Sequence, residues 1–119
     1  MFRAIETAPP GVITLDAVGK VTEEDYKVWM PVMRRAIEAQ GTIRLVMRFG
    51  PEFEQMTRRA ILWDAMAADC FCSFVDRFAM LTDKALVRTT FEAVTPPTRT
   101  LRRVFPTAAF NEAMTWVTE

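Results

Sequence analysis

The sequence predicts one α/β domain over residues 1–119: a mostly parallel sheet with an antiparallel N-terminal edge strand and helices packed on it, in the order β-β-α-β-α-β-α-β-α. Three observations predict it. The chain has 119 residues, half of them hydrophobic, enough to bury one core without disulfide or metal staples. Short strand-like runs alternate with amphipathic helices, which implies right-handed crossovers and parallel pairing. The first two runs are linked through the turn Pro9-Pro10-Gly11, which implies an antiparallel hairpin.

Phe2 to Thr7 reads as a short strand, and Val12 to Val18 alternates apolar with polar or small residues as a second. Thr22, with Asp25 three residues on, marks a helix start. From Glu23 to Gln40, Tyr26, Trp29, Met30, Val32, Met33, Ala36 and Ile37 occupy half the helical wheel, and charged residues fill the other half. Pro31 lies on the polar side, where a kink is expected, and Gly41 ends the helix. Ile43 to Phe49 is a third strand, Gly50 to Met56 a loop, and Thr57 to Cys72 a second helix. Phe78 to Leu81 forms another strand. Thr82 or Asp83 then caps a helix that buries Leu86, Val87, Phe91 and Val94 and is broken by Thr95-Pro96-Pro97. Leu101 to Phe105 is the last strand. Thr107 starts a final helix with Phe110, Ala113, Met114 and Val117 on one face.

Composition removes several chemistries. Fifteen basic and fifteen acidic residues leave no net charge, so the cationic excess that nucleic-acid binding needs is missing. There is no histidine, the commonest general base and metal ligand. Cys70 and Cys72 lack the second pair that a zinc site requires and read as reduced, buried thiols. No cofactor or metal is expected. Neither a signal-peptide core nor an apolar run near the ~20 residues of a membrane span is visible, which makes a cytoplasmic location the expectation.

The helix from Thr57 is the informative segment. Ile61, Leu62, Trp63, Met66, Phe71 and Phe74, interleaved with alanines and cysteines, cover almost every direction of the wheel, while Arg58, Arg59, Asp69 and Ser73 keep a narrow polar strip. A helix apolar nearly all round either is buried or faces something besides its own sheet. The bland reading is core plus a dimer contact. Asp64, set among alanines, reads as a structural carboxylate paired with an arginine or with backbone N–H groups; as a lone acid it would be a candidate polar site, but no second reacting group is poised nearby. Arg48, Arg58 and Arg59 bracket the loop before the helix and are candidates for holding an anion or headgroup at its start, with Glu52 and Glu54 able to pair with them instead. Thr57 reads as the helix cap.

Gly19-Lys20-Val21-Thr22-Glu23-Glu24-Asp25-Tyr26, Pro31, Ile43-Arg44-Leu45, Phe53 and Ala60-Ile61-Leu62-Trp63-Asp64, followed by Arg77-Phe78-Ala79-Met80-Leu81-Thr82-Asp83-Lys84, Phe105-Pro106, Glu112-Ala113 and Trp116-Val117, together resemble the SpoIIAA-like family. These small bacterial proteins are grouped with STAS domains and related in fold to CRAL-TRIO lipid-exchange domains. The resemblance spans nearly the whole chain. It implies a STAS-like fold without an established reaction, with apolar-ligand binding and membrane association as proposed activities and a mobile helix after the third strand. The chain departs from the family pattern at Ala65 and Ala67, where a second acid and a lysine are frequent, and at Cys70-Phe71-Cys72-Ser73-Phe74, where a histidine is frequent. Such losses favour an apolar site over a polar one.

Taken together, the expectation is a non-enzymatic binding module, a homodimer, that takes an apolar ligand or lipid in a cavity between sheet and helix or rests on a membrane surface. Phe53, Trp63, Met66 and Phe71 would line or gate the site. The alternative is a regulatory protein–protein interaction domain of the anti-sigma-factor antagonist kind. Phosphorylation at the helix start would then fall on Thr57, since the single serine, Ser73, lies at the far end.

Overall fold

The computed structural model describes residues 1–5, 8–93 and 100–119. Its strands are β1 (Phe2–Ala4), β2 (Val12–Ala17), β3 (Gly19–Val21), β4 (Ile43–Phe49), β5 (Phe53–Met56), β6 (Val75–Thr82) and β7 (Leu101–Phe105). The helices are α1 (Glu23–Gln40), α2 (Arg58–Phe71), α3 (Ala85–Ala93) and α4 (Phe110–Val117). Five strands form the main sheet in the order β1-β2-β4-β6-β7. β1 is antiparallel to β2, and every other pair in that sheet is parallel. The hairpin and the crossovers stand as the sequence predicts.

Alternation within β4 divides the core. Ile43, Leu45, Met47 and Phe49 face a cluster that also holds Leu15, Met80 and the α1 residues Tyr26 and Met30. Val46 faces the other way, with Ala79, Leu81 and Phe105, and is closed by Ala113 and Val117 of α4. α1 runs unbroken through Pro31, which is exposed, so the carbonyl that proline leaves without a donor meets solvent. Its start is fixed by the Thr22 N–H donating to Asp25 Oδ2 at 2.7 Å. Its end is fixed by Gly41 at φ 84°, which donates to the Ile37 carbonyl at 2.7 Å.

Several expectations need correction. Gly50 to Met56 is not wholly loop: β5 pairs in parallel with β3 as a separate two-stranded sheet, and the Thr57 N–H extends the pairing to the Val21 carbonyl at 3.0 Å. β6 begins at Val75, three residues before Phe78, because Ile43 pairs with it. Leu86 is 79% exposed; α3 turns Val87 and Phe91 inward instead. Val94, the Thr95-Pro96-Pro97 break, Glu6 and Thr7 lie outside the described residues. Thr107 precedes α4 without starting it. Cys70 is exposed and Cys72 half-buried, so the buried-thiol reading fails for Cys70.

Three charged residues stand side by side across the edge of the sheet. Register places Arg3 opposite Asp16 and Asp16 opposite Arg48. Arg48 grips the buried Asp16 carboxylate in two places, Nε to Oδ1 at 3.1 Å and Nη2 to Oδ2 at 3.0 Å. Arg3 Nη2 bridges Asp16 Oδ2 and Glu52 Oε2, both at 2.9 Å. Burial alone would push the Asp16 pKa up. The hydrogen bonds from Arg48 and Arg3, aided by their charges, outweigh burial and hold it below the ordinary aspartate range.

A carboxylate whose pKa falls on folding adds stability above its unfolded pKa and loses it as pH drops through the folded value. Asp16→Asn is therefore expected to cost about 1–3 kcal/mol at neutral pH. The gap to the parent should narrow as acid protonates Asp16, and urea unfolding at several pH values measures both.

Candidate functional site

α2 touches the rest of the molecule along one line. Ala60 and Phe71 are buried, Trp63 and Ala67 half-buried, and each packs in the cluster between the sheet and its helices. At ~100° per residue these four positions share one side of the helix. The opposite side is open: Leu62 is 64% exposed, Ile61 55% and Met66 46%, with Arg58, Ala65 and Asp69 exposed among them.

Side chains of α1 set this rotation. The Tyr26 hydroxyl donates to Asp64 Oδ1 at 2.8 Å, Lys27 Nζ sits 5.8 Å from the centre of the Trp63 ring, and Arg59 reaches Glu23 at 3.8 Å. The start of α2 is capped by the Thr57 hydroxyl, which accepts from the Ala60 N–H at 3.1 Å, as the sequence predicts. An open depression follows the outer flank of the helix, lined by Arg59, Leu62, Trp63, Met66 and Asp69.

These placements divide the expected ligand set. Met66 and part of Trp63 lie on the outer flank. Phe71 is core, and Phe53 stands edge-on to Phe49 in β5, with ring centres 4.8 Å apart. Between sheet and helix, where the sequence suggested a cavity, Ala60 and Phe71 pack into the core cluster. Arg58 and Arg59 are exposed at the start of α2, whereas Arg48 is committed to Asp16 and does not join them. Glu52 takes Arg3 as its partner. The sequence reading included Ile61 and Leu62 in an all-round apolar wheel without assigning them to a site. The spacing of Ala60, Trp63, Ala67 and Phe71 at three and four residues is the signal that marks the opposite, outward side.

The chain matches the SpoIIAA-like family over residues 12–118. It belongs to the SpoIIAA-like family. Among solved structures, an uncharacterized protein with a SpoIIAA-like fold from Shewanella loihica is similar, with a TM-score of 0.78 and 18% identity over 98% of this chain and 92% of that one. The anti-sigma factor antagonist SpoIIAA in its unphosphorylated form is also similar, with a TM-score of 0.69 and 12% identity over 99% of this chain and 98% of that one. No curated protein matches at a significant level. At these identities the structural likeness establishes the fold.

In this SpoIIAA-like domain, Asp64 has a hydroxyl partner and not the arginine or backbone partner anticipated for it. Crowding by protein atoms raises its pKa, and the Tyr26 hydrogen bond partly offsets that rise. Asp64 as a residue still reaches water, which tempers the shift. Burial, with the Asp64 charge beside it, keeps the Tyr26 hydroxyl protonated well above the ordinary phenol range. The pair is a neutral donor and an acceptor that together clasp two helices.

Tyr26→Phe is expected to leave the fold intact, to cost about 0.5–1.5 kcal/mol, and to raise the Asp64 pKa further, because the hydrogen bond that lowers it is gone. Carbon-detected NMR titration of the Asp64 carboxyl reads the shift. A raised carboxylate pKa contributes stability at low pH that is lost as pH rises through the folded value, the reverse of Asp16. Asp64→Asn should remove that component from the pH profile of unfolding.

Proposed function

We propose that this domain is a non-enzymatic, regulatory protein-interaction module whose contact surface is the outward side of α2. One observation carries the reading: Ile61, Leu62 and Met66 project into solvent from a helix whose opposite side already occupies its place in the core. Grouped exposed grease on a folded domain marks a surface that another molecule covers. The family and the fold support the regulatory class, since a solved neighbour is an anti-sigma factor antagonist. The Thr57 hydroxyl is engaged as the helix cap, and the single serine is at the opposite end, so the contact is not built around a serine switch at the start of α2.

Lipid contact draws on the same side chains and is the weaker reading. A helix that lies on an anionic bilayer carries an excess of Lys and Arg beside its apolar side. Here Asp64 and Asp69 balance Arg58 and Arg59 along α2. The grease also faces outward and does not wall an enclosed acyl pocket.

Position 66 is the place for a test in the native host. A photo-reactive amino acid replacing Met66 is expected to give adducts with protein chains. Leu62→Glu should abolish them, and Leu86→Glu, exposed on the separate helix α3, should not. Adducts with lipid alone, or adducts indifferent to Leu62→Glu, would overturn the reading.

A further inference from the structure

The outward side of α2 has an internal symmetry. Arg58 and Asp69 are eleven residues apart, which is about three full turns and ~16 Å along the helix, so they project in nearly the same direction from opposite ends. Between them lie Leu62 and Ala65, with Ile61 and Met66 on the flanks, and all six are exposed. Reflected about a point between Trp63 and Asp64, Arg58 falls on Asp69, Leu62 on Ala65, and Ile61 on Met66.

We propose that the occupant of this strip is a second copy of the chain, packed antiparallel through α2 about a two-fold axis near Trp63 and Asp64. The proposal rests on the reading of α2 as the contact surface and names the partner. An isologous contact requires a self-complementary patch, and this strip is self-complementary in charge and in size. Each Arg58 meets the second copy's Asp69, twice over. Each Leu62 lies level with the second copy's Ala65, a large side chain beside a small one, which lets two helices approach closely.

A second observation points the same way. The first turn of α2 holds no acid and its last turn no base; instead two arginines stand at the positive end of the helix dipole and Asp69 stands near the negative end. Both placements are unfavourable in an isolated helix. An antiparallel neighbour supplies the opposite charge at each end and cancels its dipole against the first. A parallel neighbour would oppose like charges at both ends.

Sedimentation equilibrium between about 10 μM and 1 mM, the range suited to a small interface, tests the proposal with a charge-swap set. The parent is expected to dimerise reversibly. Arg58→Asp and Asp69→Arg should each weaken the dimer about tenfold or more, and the double variant Arg58→Asp/Asp69→Arg should regain it. Leu62→Glu should be monomeric, with an unchanged circular dichroism spectrum confirming that it folds. A monomeric parent at the highest concentration would overturn the second-copy proposal while leaving the protein-contact reading to the position-66 adducts. A dimer that survives Leu62→Glu, or a double variant no better than the singles, would overturn the α2 geometry.

Discussion

The rotation of α2 about its own axis is the constraint on which the surface of this domain depends. An all-round apolar helix has no sidedness of its own; something must decide which third of it joins the core. Two features decide it. Ala60, with a side chain of one carbon, allows the first turn to settle fully into the core, and Tyr26 holds Asp64 from the neighbouring helix. With those positions drawn inward, Phe71 follows two turns on, and Leu62 and Ala65 have no direction left except outward. A hydrogen bond contributing about 1 kcal/mol thus selects a face whose apolar side chains are each worth more when covered.

The edge of the sheet is ordered by charge where the centre is ordered by packing. β4 is flanked by β2 and β6 and packed on both faces. Near its C-terminal end, the face bearing Asp16 is occupied by the Arg3–Asp16–Arg48 row. The row ties three strands together, and through Glu52 it ties the loop that leads into β5. β5 in turn hands the chain to Thr57 and the start of α2. This explains why Arg48, adjacent in sequence to that loop, is unavailable to an anion: its guanidinium is already spent on the sheet.

Legibility in the sequence followed the locality of the signal. The hairpin, the four helices and the parallel order come from alternation, capping residues and turns, all of which are short-range. β3 and β5 were invisible because Gly19-Lys20-Val21 and Phe53-Glu54-Gln55-Met56 are too short to show a period, and each is a strand only because the other lies beside it. The first three residues of β6 were hidden for a related reason: Val75-Asp76-Arg77 has little strand character until Ile43 and Arg44 pair with it. On α2 the sequence shows an excess of apolar surface, and the structure exposes Ile61, Leu62 and Met66 while it buries Phe71. Phe71 goes into the core and Phe53 is half-buried against Phe49, while Met66 stays exposed. Asp64 was expected to find an arginine because charge pairs are the commoner solution; the partner is a tyrosine that the wheel of α1 had already placed on its apolar side.

The charges within the outward strip carry the last step of the argument. A strip of Leu, Ile, Ala and Met alone would adhere to any apolar surface in any orientation. Placing one sign at each end adds little affinity, since ions at a solvated rim exchange water contacts for one another at small net gain. What it adds is a penalty on misalignment: a partner helix in the parallel sense, or shifted by a turn, leaves like charges opposed or a charge against grease. In the proposed contact, affinity would rest on a few apolar side chains and specificity on Arg58 and Asp69. That division suits a contact that forms and releases with concentration, because the same strip must remain tolerable to water when it is uncovered.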